Sequence, residues 1–203
     1  MARYDLATVA AEAAICTRCQ LASGRTQVVF GGGNPKADLM FIGEGPGRDE
    51  DLQGEPFVGR SGKLLDRLIL EELGHDRSGA YICNVVKCRP PENRDPLPDE
   101  IESCRPWLES QLELVDPKVI VTLGNYATRR ILETKEGITK MRGQEHAWNG
   151  RVVVPTFHPS AALRSGGGQV LAEMRADLVR AKLAVRRLTG ERVPAKTELA
   201  GSR

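Results

Sequence analysis

Short apolar runs alternate along the chain with longer segments in which apolar residues recur every three or four positions. The short runs are typical of buried strands, and the longer segments have the period of helices that pack on a sheet. Strands are predicted for four runs, which are 38–44, 80–86, 118–124 and 151–159. Helices are predicted for five segments, which are 5–15, 62–73, 98–115, 125–133 and 169–188.

This alternation predicts a parallel sheet that is covered by helices on both faces. We therefore expect a single-domain α/β/α sandwich with a central four-stranded parallel sheet over residues 1–188, followed by a polar, disordered tail at 189–203. Ligands of such sheets bind outside the carboxyl ends of the strands. The segments at these ends should therefore converge on one rim. They are 43–47, 84–88, 123–125 and 157–159.

The composition fits one compact domain with an aliphatic core, since the 203 residues are 40% hydrophobic but only 4% aromatic. No apolar run approaches the length of about 18 residues that a transmembrane helix needs. The N-terminus lacks the basic-then-apolar pattern of a signal peptide, so we expect a cytoplasmic protein that does not associate with membranes. The net charge of +2 is weak evidence for a nucleic-acid partner, because local basic clusters matter more than the total.

Four cysteines form the most informative pattern in the chain. Cys16 and Cys19 are a C-x-x-C pair, and Cys88 and Cys104 follow far downstream. Structural disulfides are not expected in a reducing compartment, so the pattern indicates a zinc ion or an iron–sulfur cluster. Zinc ribbons usually have two C-x-x-C knuckles, so the wide spread favours a cubane cluster and leaves zinc as the alternative. Cys83 lies inside a predicted strand and is interpreted as a buried small hydrophobe.

Polar and aromatic residues near the predicted strand ends are candidates for a binding site. Glu44 and Glu50 belong to a glycine-containing acidic segment, which is either an ordinary turn or a site of paired carboxylates. Phe57 in a glycine-flanked loop is either a core residue or a stacking platform for a flat ligand such as a base. Asn84 can cap its strand or offer a donor and an acceptor to a base edge. His158 ends the fourth strand, where a structural and a catalytic role are both open.

Basic residues cluster near the predicted rim. They are Lys87, Arg89, Arg94, Lys140, Arg142 and Arg164. Such residues most often form a solvated face, but on rim loops they can contact the phosphates of a nucleic acid. They do not by themselves identify the partner.

Five motifs occur in order along the chain. They are C-x-x-C at 16–19, GEGPGRDED at 43–51, PFVGRSGKLL at 56–65, NVVKCRPPENR at 84–94 and FHPS at 157–160. Together they resemble the family 4 uracil-DNA glycosylases, the iron–sulfur-containing branch from bacteria and archaea, over roughly residues 10–185. The resemblance implies a uracil-DNA glycosylase-like fold. It also implies a base-excision repair enzyme that flips uracil out of DNA and hydrolyses its N-glycosidic bond to leave an abasic site.

The resemblance implies roles for residues that contact the substrate. Phe57 would stack on the flipped uracil, and the amide of Asn84 would read its edge, because cytosine presents the opposite pattern of donor and acceptor. Leu163 and Arg164 would fill the gap that the flipped base leaves in the duplex, although the match of their segment to the family is loose.

The resemblance also implies catalytic roles. A neutral His158 would donate a hydrogen bond to O2 of uracil and stabilise the departing anion. Glu44 and Glu50 are joint candidates for the carboxylate that stabilises the sugar cation or positions water. Bulk near Gly45 or Glu50 would exclude the methyl group of thymine.

A [4Fe-4S] cluster is assigned by the resemblance to Cys16, Cys19, Cys88 and Cys104. We expect a monomer that acts on uracil-containing DNA. A sliding clamp or other repair proteins as partners, and a redox role of the cluster, are left open. Two alternatives from other classes are a non-enzymatic iron–sulfur protein that binds DNA and a zinc-containing nucleotide-binding module.

Overall fold

The computed structural model describes residues 5–190. Six strands occur in this range: β1 (Gly32–Gly33), β2 (Leu39–Gly43), β3 (Tyr81–Asn84), β4 (Val119–Leu123), β5 (His146–Trp148) and β6 (Arg151–Thr156). Nine α-helices accompany them: α1 (Leu6–Ala14), α2 (Leu21–Gly24), α3 (Arg48–Gln53), α4 (Arg60–Leu68), α5 (Pro98–Val115), α6 (Asn125–Leu132), α7 (Ile138–Met141), α8 (Pro159–Arg164) and α9 (Gly168–Thr189). A π-helical turn, Ile69–Leu73, continues α4, and short 3₁₀ turns cover Arg77–Gly79 and Pro91–Asn93.

The five predicted helices are all present, and the last of them is slightly longer than predicted. Thr189, the first residue of the predicted tail, is the final residue of α9. Residues 191–203 lie outside the described part of the chain, so a disordered tail stays a prediction.

The four predicted strands are the parallel centre of the sheet, in the order β3-β2-β4-β6. Two short edge strands, β1 and β5, pair antiparallel to β3 and β6 and were not predicted. β5 and β6 are joined by Asn149 and Gly150, whose φ angles are 45° and 76°. An Asn-Gly pair with this backbone is the usual signal of a two-residue hairpin turn.

Helices cover both faces of the sheet, because successive residues of a strand enter opposite halves of the core. In β2, Met40 and Ile42 pack on the side of α1 and α5, whereas Leu39 and Phe41 pack on the side of α4 and α9. Burying one such side chain contributes about 1.5–3 kcal/mol, so two-sided burial fixes the register of the central strands. The predicted α/β/α sandwich is confirmed.

The long helix α5 packs against α1 and so brings the middle of the chain to its N-terminal segment. Its start is fixed by Glu100, whose buried carboxylate accepts the backbone N–H of Leu97 at 2.8 Å. Neither α5 nor any other helix within residues 5–190 is long and apolar enough to cross a membrane.

Candidate active site and cysteine cavity

The carboxyl ends of the four parallel strands open into one cleft with a volume of about 760 Å³. The segments that follow β2, β3, β4 and β6 all contribute to its wall, as expected for this type of sheet. The cleft brings together these predicted site residues: Glu44, Gly45, Glu50, Phe57, Asn84, His158 and Arg164. Leu163 is not among the residues that line the cleft, and its side chain is 39% exposed on α8.

His158 lies at the start of α8 with its ring held in one tautomer. Nδ1 accepts the backbone N–H of Ser160 at 3.2 Å and lies 2.9 Å from the Ser160 hydroxyl. Because a backbone N–H can only donate, Nδ1 carries no proton, and the proton of the neutral ring is on Nε2. Burial, helped by the positive charge of Arg164, lowers the pKa of His158 to about 4. The ring is therefore neutral at physiological pH.

The Ser160 hydroxyl links the histidine to the helix that follows it. Nη1 of Arg164 donates to this oxygen at 3.1 Å, which leaves the Ser160 O–H free to donate to Nδ1 of His158. Arg164, which was predicted to contact DNA, thus also belongs to the hydrogen-bond chain behind the imidazole.

Phe57 forms one wall of the cleft with a left-handed backbone. Its φ angle is 56°, a conformation that costs a residue other than glycine about 1–3 kcal/mol. Its ring centroid lies 5.8 Å from that of His158. The backbone of α4 packs directly on Phe57, because a Cβ atom at Gly62 would lie 1.8 Å from the Phe57 carbonyl oxygen.

Arg77 holds the same strained segment from the other side. Its Nη2 donates to the carbonyl oxygens of Pro56 at 3.0 Å and Phe57 at 3.1 Å. Asp66 lies 3.1 Å from Nε of Arg77 and keeps the guanidinium in place. The backbone that carries the Phe57 ring is therefore held by contacts within the protein.

Asn84 ends β3 with a buried acceptor that has no partner. Its side chain is 2% exposed, and within residues 5–190 no hydrogen-bond donor reaches its Oδ1. Leaving such an atom unpaired costs about 1–3 kcal/mol, which is typical of a position completed by a ligand. Gly43 makes the arrangement possible, because a Cβ atom there would lie 2.4 Å from this oxygen and 2.5 Å from the Phe57 ring.

The two candidate glutamates differ in their surroundings. Within the described chain no hydrogen bond or ion pair engages the Glu44 carboxylate, and burial, together with repulsion from Asp95, raises the pKa of Glu44 to about 7. Glu50, in contrast, accepts backbone N–H groups from residues 47, 58 and 59 at 2.9–3.0 Å. Oε1 therefore ties α3 to the loop that carries Phe57, and Oε2 caps the start of α3 at Gly47.

Two further cleft residues, Asp95 and Tyr126, were missed. The Tyr126 hydroxyl donates to Oδ2 of Asp95 at 2.6 Å, and this bond is the main cause that raises the pKa of Tyr126 to about 12. Tyr126 follows the end of β4 by three residues, so the rule that ligands bind at strand ends applies to it as well. Asp95 directly follows the motif at 84–94 and has no comparable signal in the sequence.

Half of the basic residues near the rim are engaged inside the protein. Lys87 is fully buried, Arg94 pairs with the buried Glu100 at 2.6 Å, and Arg142 pairs with the buried Asp177 at 2.9 Å. Lys87 and Arg142 are therefore not free to contact phosphate, whereas the Arg94 side chain is 37% exposed at the cleft. The other candidates are Arg89, Lys140 and Arg164, which are exposed or half-buried.

A second, smaller cavity lies on the α1 and α5 side of the sheet. All four predicted ligands line it, Cys16, Cys19, Cys88 and Cys104. N–H groups are directed at its sulfurs: Arg25 Nη1 lies 3.4 Å from Sγ of Cys88, and the backbone N–H of Lys87 lies 3.2 Å from Sγ of Cys104. We call this space the cysteine cavity. Cys83 is not among the residues that line it, and its thiol is fully buried in β3, as predicted.

Each sulfur of the cysteine cavity accepts an N–H group. Trp107 Nε1 lies 3.4 Å from Sγ of Cys16, and the backbone N–H of Leu21 bonds Cys19, which completes the set of four. Such bonds stabilise ligating thiolates. Within residues 5–190, no three Cys, His, Asp or Glu side chains come together as ligands of a single metal ion. Burial raises the pKa of Cys104 to about 11, so deprotonation of its thiol needs a strong compensating charge.

Comparison with known proteins agrees with this geometry. Residues 30–179 match the model of the uracil DNA glycosylase superfamily. A type-4 uracil-DNA glycosylase from Sulfurisphaera tokodaii is 48% identical over 167 residues, which cover 78% of this chain and 76% of that protein. A type-4 uracil-DNA glycosylase from Thermotoga maritima is 47% identical over 169 residues, covering 82% and 88%. A type-5 uracil-DNA glycosylase from Thermus thermophilus is 30% identical over 118 residues, covering 51% and 53%. This chain belongs to the uracil-DNA glycosylase superfamily.

Proposed function

We propose that this protein is a uracil-DNA glycosylase that flips uracil out of DNA and hydrolyses its N-glycosidic bond in base excision repair. The observation that carries the proposal is the unpaired Oδ1 of Asn84 beside the Phe57 ring, in the same cleft as a neutral His158. The type-4 relatives carry this activity in their names. A non-enzymatic DNA-binding protein would have no use for such a combination.

Base recognition in this proposal depends on Asn84 and Phe57. Oδ1 of Asn84 accepts the N3–H of uracil, and its amide group donates to O4. Cytosine, with an acceptor at N3 and a donor at position 4, is rejected because the buried amide would face like groups. Phe57 stacks on the face of the flipped base. Gly45 and Glu50 also line the cleft and are proposed to form the wall that excludes the methyl group of thymine.

The departure of uracil depends on His158. As the bond between C1′ and N1 stretches, negative charge develops on uracil O2, and the Nε2–H of the neutral ring donates to that oxygen. Removing one donor of this kind typically lowers a rate about 100-fold to 1,000-fold. Ser160 and Arg164 hold the tautomer that makes this donation possible.

Of the two glutamates, we propose Glu44 as the residue that positions water and stabilises the cationic sugar. Its carboxylate has no protein partner within the described residues, and its raised pKa places its ionisation near neutral pH. Glu50 has both oxygens engaged by backbone N–H groups and is proposed to hold the loops of the cleft in place.

We propose that Cys16, Cys19, Cys88 and Cys104 hold a [4Fe-4S] cluster. When bound, this group supplies a sulfur-ligated cross-link between distant chain segments. The ligands come from the segment after α1, the segment after β3 and helix α5, so a cluster held by them would fix the loop at 89–97 beside Asn84. Iron and acid-labile sulfide in anaerobically purified protein would support the cluster, whereas stoichiometric zinc would contradict it.

The proposed activity implies where DNA lies on the protein and where in the cell the protein acts. DNA lies across the mouth of the cleft, where Leu163 and Arg164 occupy the gap left by the flipped base. We propose that the protein acts as a monomer in the cytoplasm, a reducing compartment in which its cysteines stay out of disulfides.

The test is incubation with an oligonucleotide that contains one deoxyuridine, followed by alkaline cleavage of abasic sites. Strand cleavage is expected with uracil, and thymine, cytosine and hypoxanthine in the same position define the pocket. Cluster-replete protein that leaves uracil-containing DNA intact would refute the proposed function.

A further inference from the structure

The ammonium group of Lys87 is buried between the cleft and the cysteine cavity. Its side chain is 1% exposed. Nζ donates to the carbonyl oxygen of Asn84 at 2.6 Å and to Oε1 of Gln111 at 2.5 Å. Its backbone N–H donates to Sγ of Cys104 at 3.2 Å. One residue therefore contacts both the amino acid proposed to read uracil and a proposed ligand of the cluster.

The Lys87 ammonium has no carboxylate partner within residues 5–190. The buried carboxylates of Asp51, Glu100 and Asp177 bind the backbone N–H of residue 26, Arg94 and Arg142, respectively. The oxygens that accept from Lys87 are both neutral amide oxygens, and its other neighbours are the buried Cys83 thiol and the Phe30 ring, whose centroid lies 6.0 Å from Nζ. An ammonium buried without an opposite charge is strongly destabilising, so a negative charge is required nearby.

The cysteine cavity can supply that charge. Lys87 is one of the residues that line it. Its backbone N–H lies 3.2 Å from Sγ of Cys104, so the residue adjoins the sulfurs directly. Four thiolates outweigh the positive charge of an oxidised [4Fe-4S] core, so the ligated centre is an anion. The ammonium and the centre would therefore stabilise each other.

The ammonium group of Lys87 also fixes the backbone of Asn84, because Nζ donates to its carbonyl oxygen. Asn84 pairs with Gly43 at the end of β3, and the backbone N–H groups of residues 85 and 86 still donate to the carbonyl oxygens of residues 43 and 44. The hydrogen bond from Nζ holds the Asn84 carbonyl group, and hence the Cα atom from which the reading amide projects. A change in the position of the ammonium would therefore move Oδ1 of Asn84 relative to Phe57.

We propose that Lys87 is a positioning residue that serves as the counter-ion of the cysteine centre and holds Asn84 in its uracil-reading orientation. The charge of the centre is thereby coupled to base recognition. This inference rests on the proposed function and adds a residue that touches neither the base nor the sugar.

The test compares Lys87→Met with wild-type protein, both purified anaerobically. Two quantities are measured: the midpoint potential of the cluster by protein-film voltammetry, and the inhibition constant of free uracil in single-turnover excision assays. Loss of the positive charge should shift the potential to more negative values. Loss of the hydrogen bond to Asn84 should weaken uracil inhibition about tenfold. Lys182→Met is the matched control, because Lys182 donates to the Glu72 carbonyl at 2.9 Å on the opposite side of the sheet and should change neither quantity.

A second variant separates charge from positioning and remains informative if Lys87→Met does not fold. In Gln111→Glu a carboxylate neutralises the ammonium but keeps its bond to Asn84. The potential should again become more negative, while uracil inhibition stays within about twofold of wild type. The coupling is refuted if Lys87→Met changes only one of the two quantities, or if Gln111→Glu keeps the wild-type potential. Wild-type protein that excises no uracil overturns the proposed function instead, and the potentials still test the charge of Lys87.

Discussion

The cleft and the cysteine cavity differ in whether their polar groups have hydrogen-bond partners within the described chain. In the cleft, Oδ1 of Asn84 and the carboxylate of Glu44 have no partner within the described chain. In the cysteine cavity, N–H groups of Arg25, Lys87 and Trp107 are directed at the sulfurs. A site with unpaired groups suits a ligand that arrives and leaves. A site whose acceptors are already stabilised suits a permanent occupant, because the surrounding dipoles need not rearrange.

The largest expected effect comes from breaking the cleft alone. Asn84→Ala and His158→Ala should each lower the single-turnover rate of uracil excision about 100-fold or more, because each removes a hydrogen bond to the base. The visible absorbance and iron content should match wild type. His75→Ala, in a turn outside the cleft, is the control and should keep full activity. Either cleft variant with wild-type turnover would show that its proposed role is wrong.

The next largest effect is expected from removing one cysteine of the cysteine cavity. Cys104→Ser should lose most of the iron and lower the midpoint temperature of unfolding, because the cross-link between α5 and the N-terminal segment is lost. Iron analysis and thermal unfolding followed by circular dichroism measure both effects. Cys83→Ala is the matched control, since it removes a buried thiol that does not line the cavity. A Cys104→Ser protein with full iron content would contradict the ligand assignment.

The pH dependence of the excision rate tests the cleft side of the comparison, because it reports on the unpaired carboxylate of Glu44. If ionised Glu44 positions water, the excision rate should rise with pH through about 7. The pKa of His158, about 4, lies too low to cause this rise. Asp95→Asn removes a repulsive charge and should move the rise to lower pH, whereas Glu44→Gln should abolish it. An unchanged pH profile in both variants would exclude Glu44 as the group responsible.

The same carboxyl group links pH to stability. Its pKa in the folded protein lies above the ordinary value of 4.5, so folding favours the protonated form. The contribution of this group is complete below pH 4.5 and is lost as the pH rises through about 7. Thermal unfolding of Glu44→Gln, compared with wild type, should therefore show a weaker decline over this range.

The smallest expected effect concerns the clamp behind Phe57. Arg77→Ala removes two hydrogen bonds to the strained segment and should weaken uracil inhibition about threefold to tenfold, with little change in DNA binding. Arg67→Ala is a suitable control, because Arg67 is an exposed residue of α4. If Arg77→Ala binds uracil as wild type does, the orientation of Phe57 does not depend on the clamp.

The part of the site that depends on strand ends could be predicted from the sequence. The central strands have clear apolar runs, and a parallel sheet brings their carboxyl ends together, so Asn84 and His158 were expected near one another, whereas Phe57 was placed with them by the family resemblance. The edge strands β1 and β5 have two and three residues, which is too short for a recognisable period. The Asn149-Gly150 pair is a sequence signal that could have indicated the hairpin that contains β5, but it was overlooked.

The part that depends on contacts between loops could not be predicted. Glu44 and Glu50 are the same residue type in one short segment, and only the fold shows which one is engaged by backbone N–H groups. The burial of charged residues could not be predicted either. Lys87 and Arg142 are ordinary basic residues in the sequence, but tertiary packing places them in the interior or against a buried carboxylate.

The left-handed backbone of Phe57 bears on how the protein would capture uracil in DNA. Because Gly62 and Arg77 hold this segment in place within the protein itself, the receptor for the base exists before DNA arrives. Under the proposed function, a receptor that is already formed gains most from bases that leave the stack at little cost. Uracil opposite guanine, in a weaker pair, should then be captured more often than uracil opposite adenine. The preformed pocket would in that case favour deaminated cytosines, where a mutation would otherwise follow.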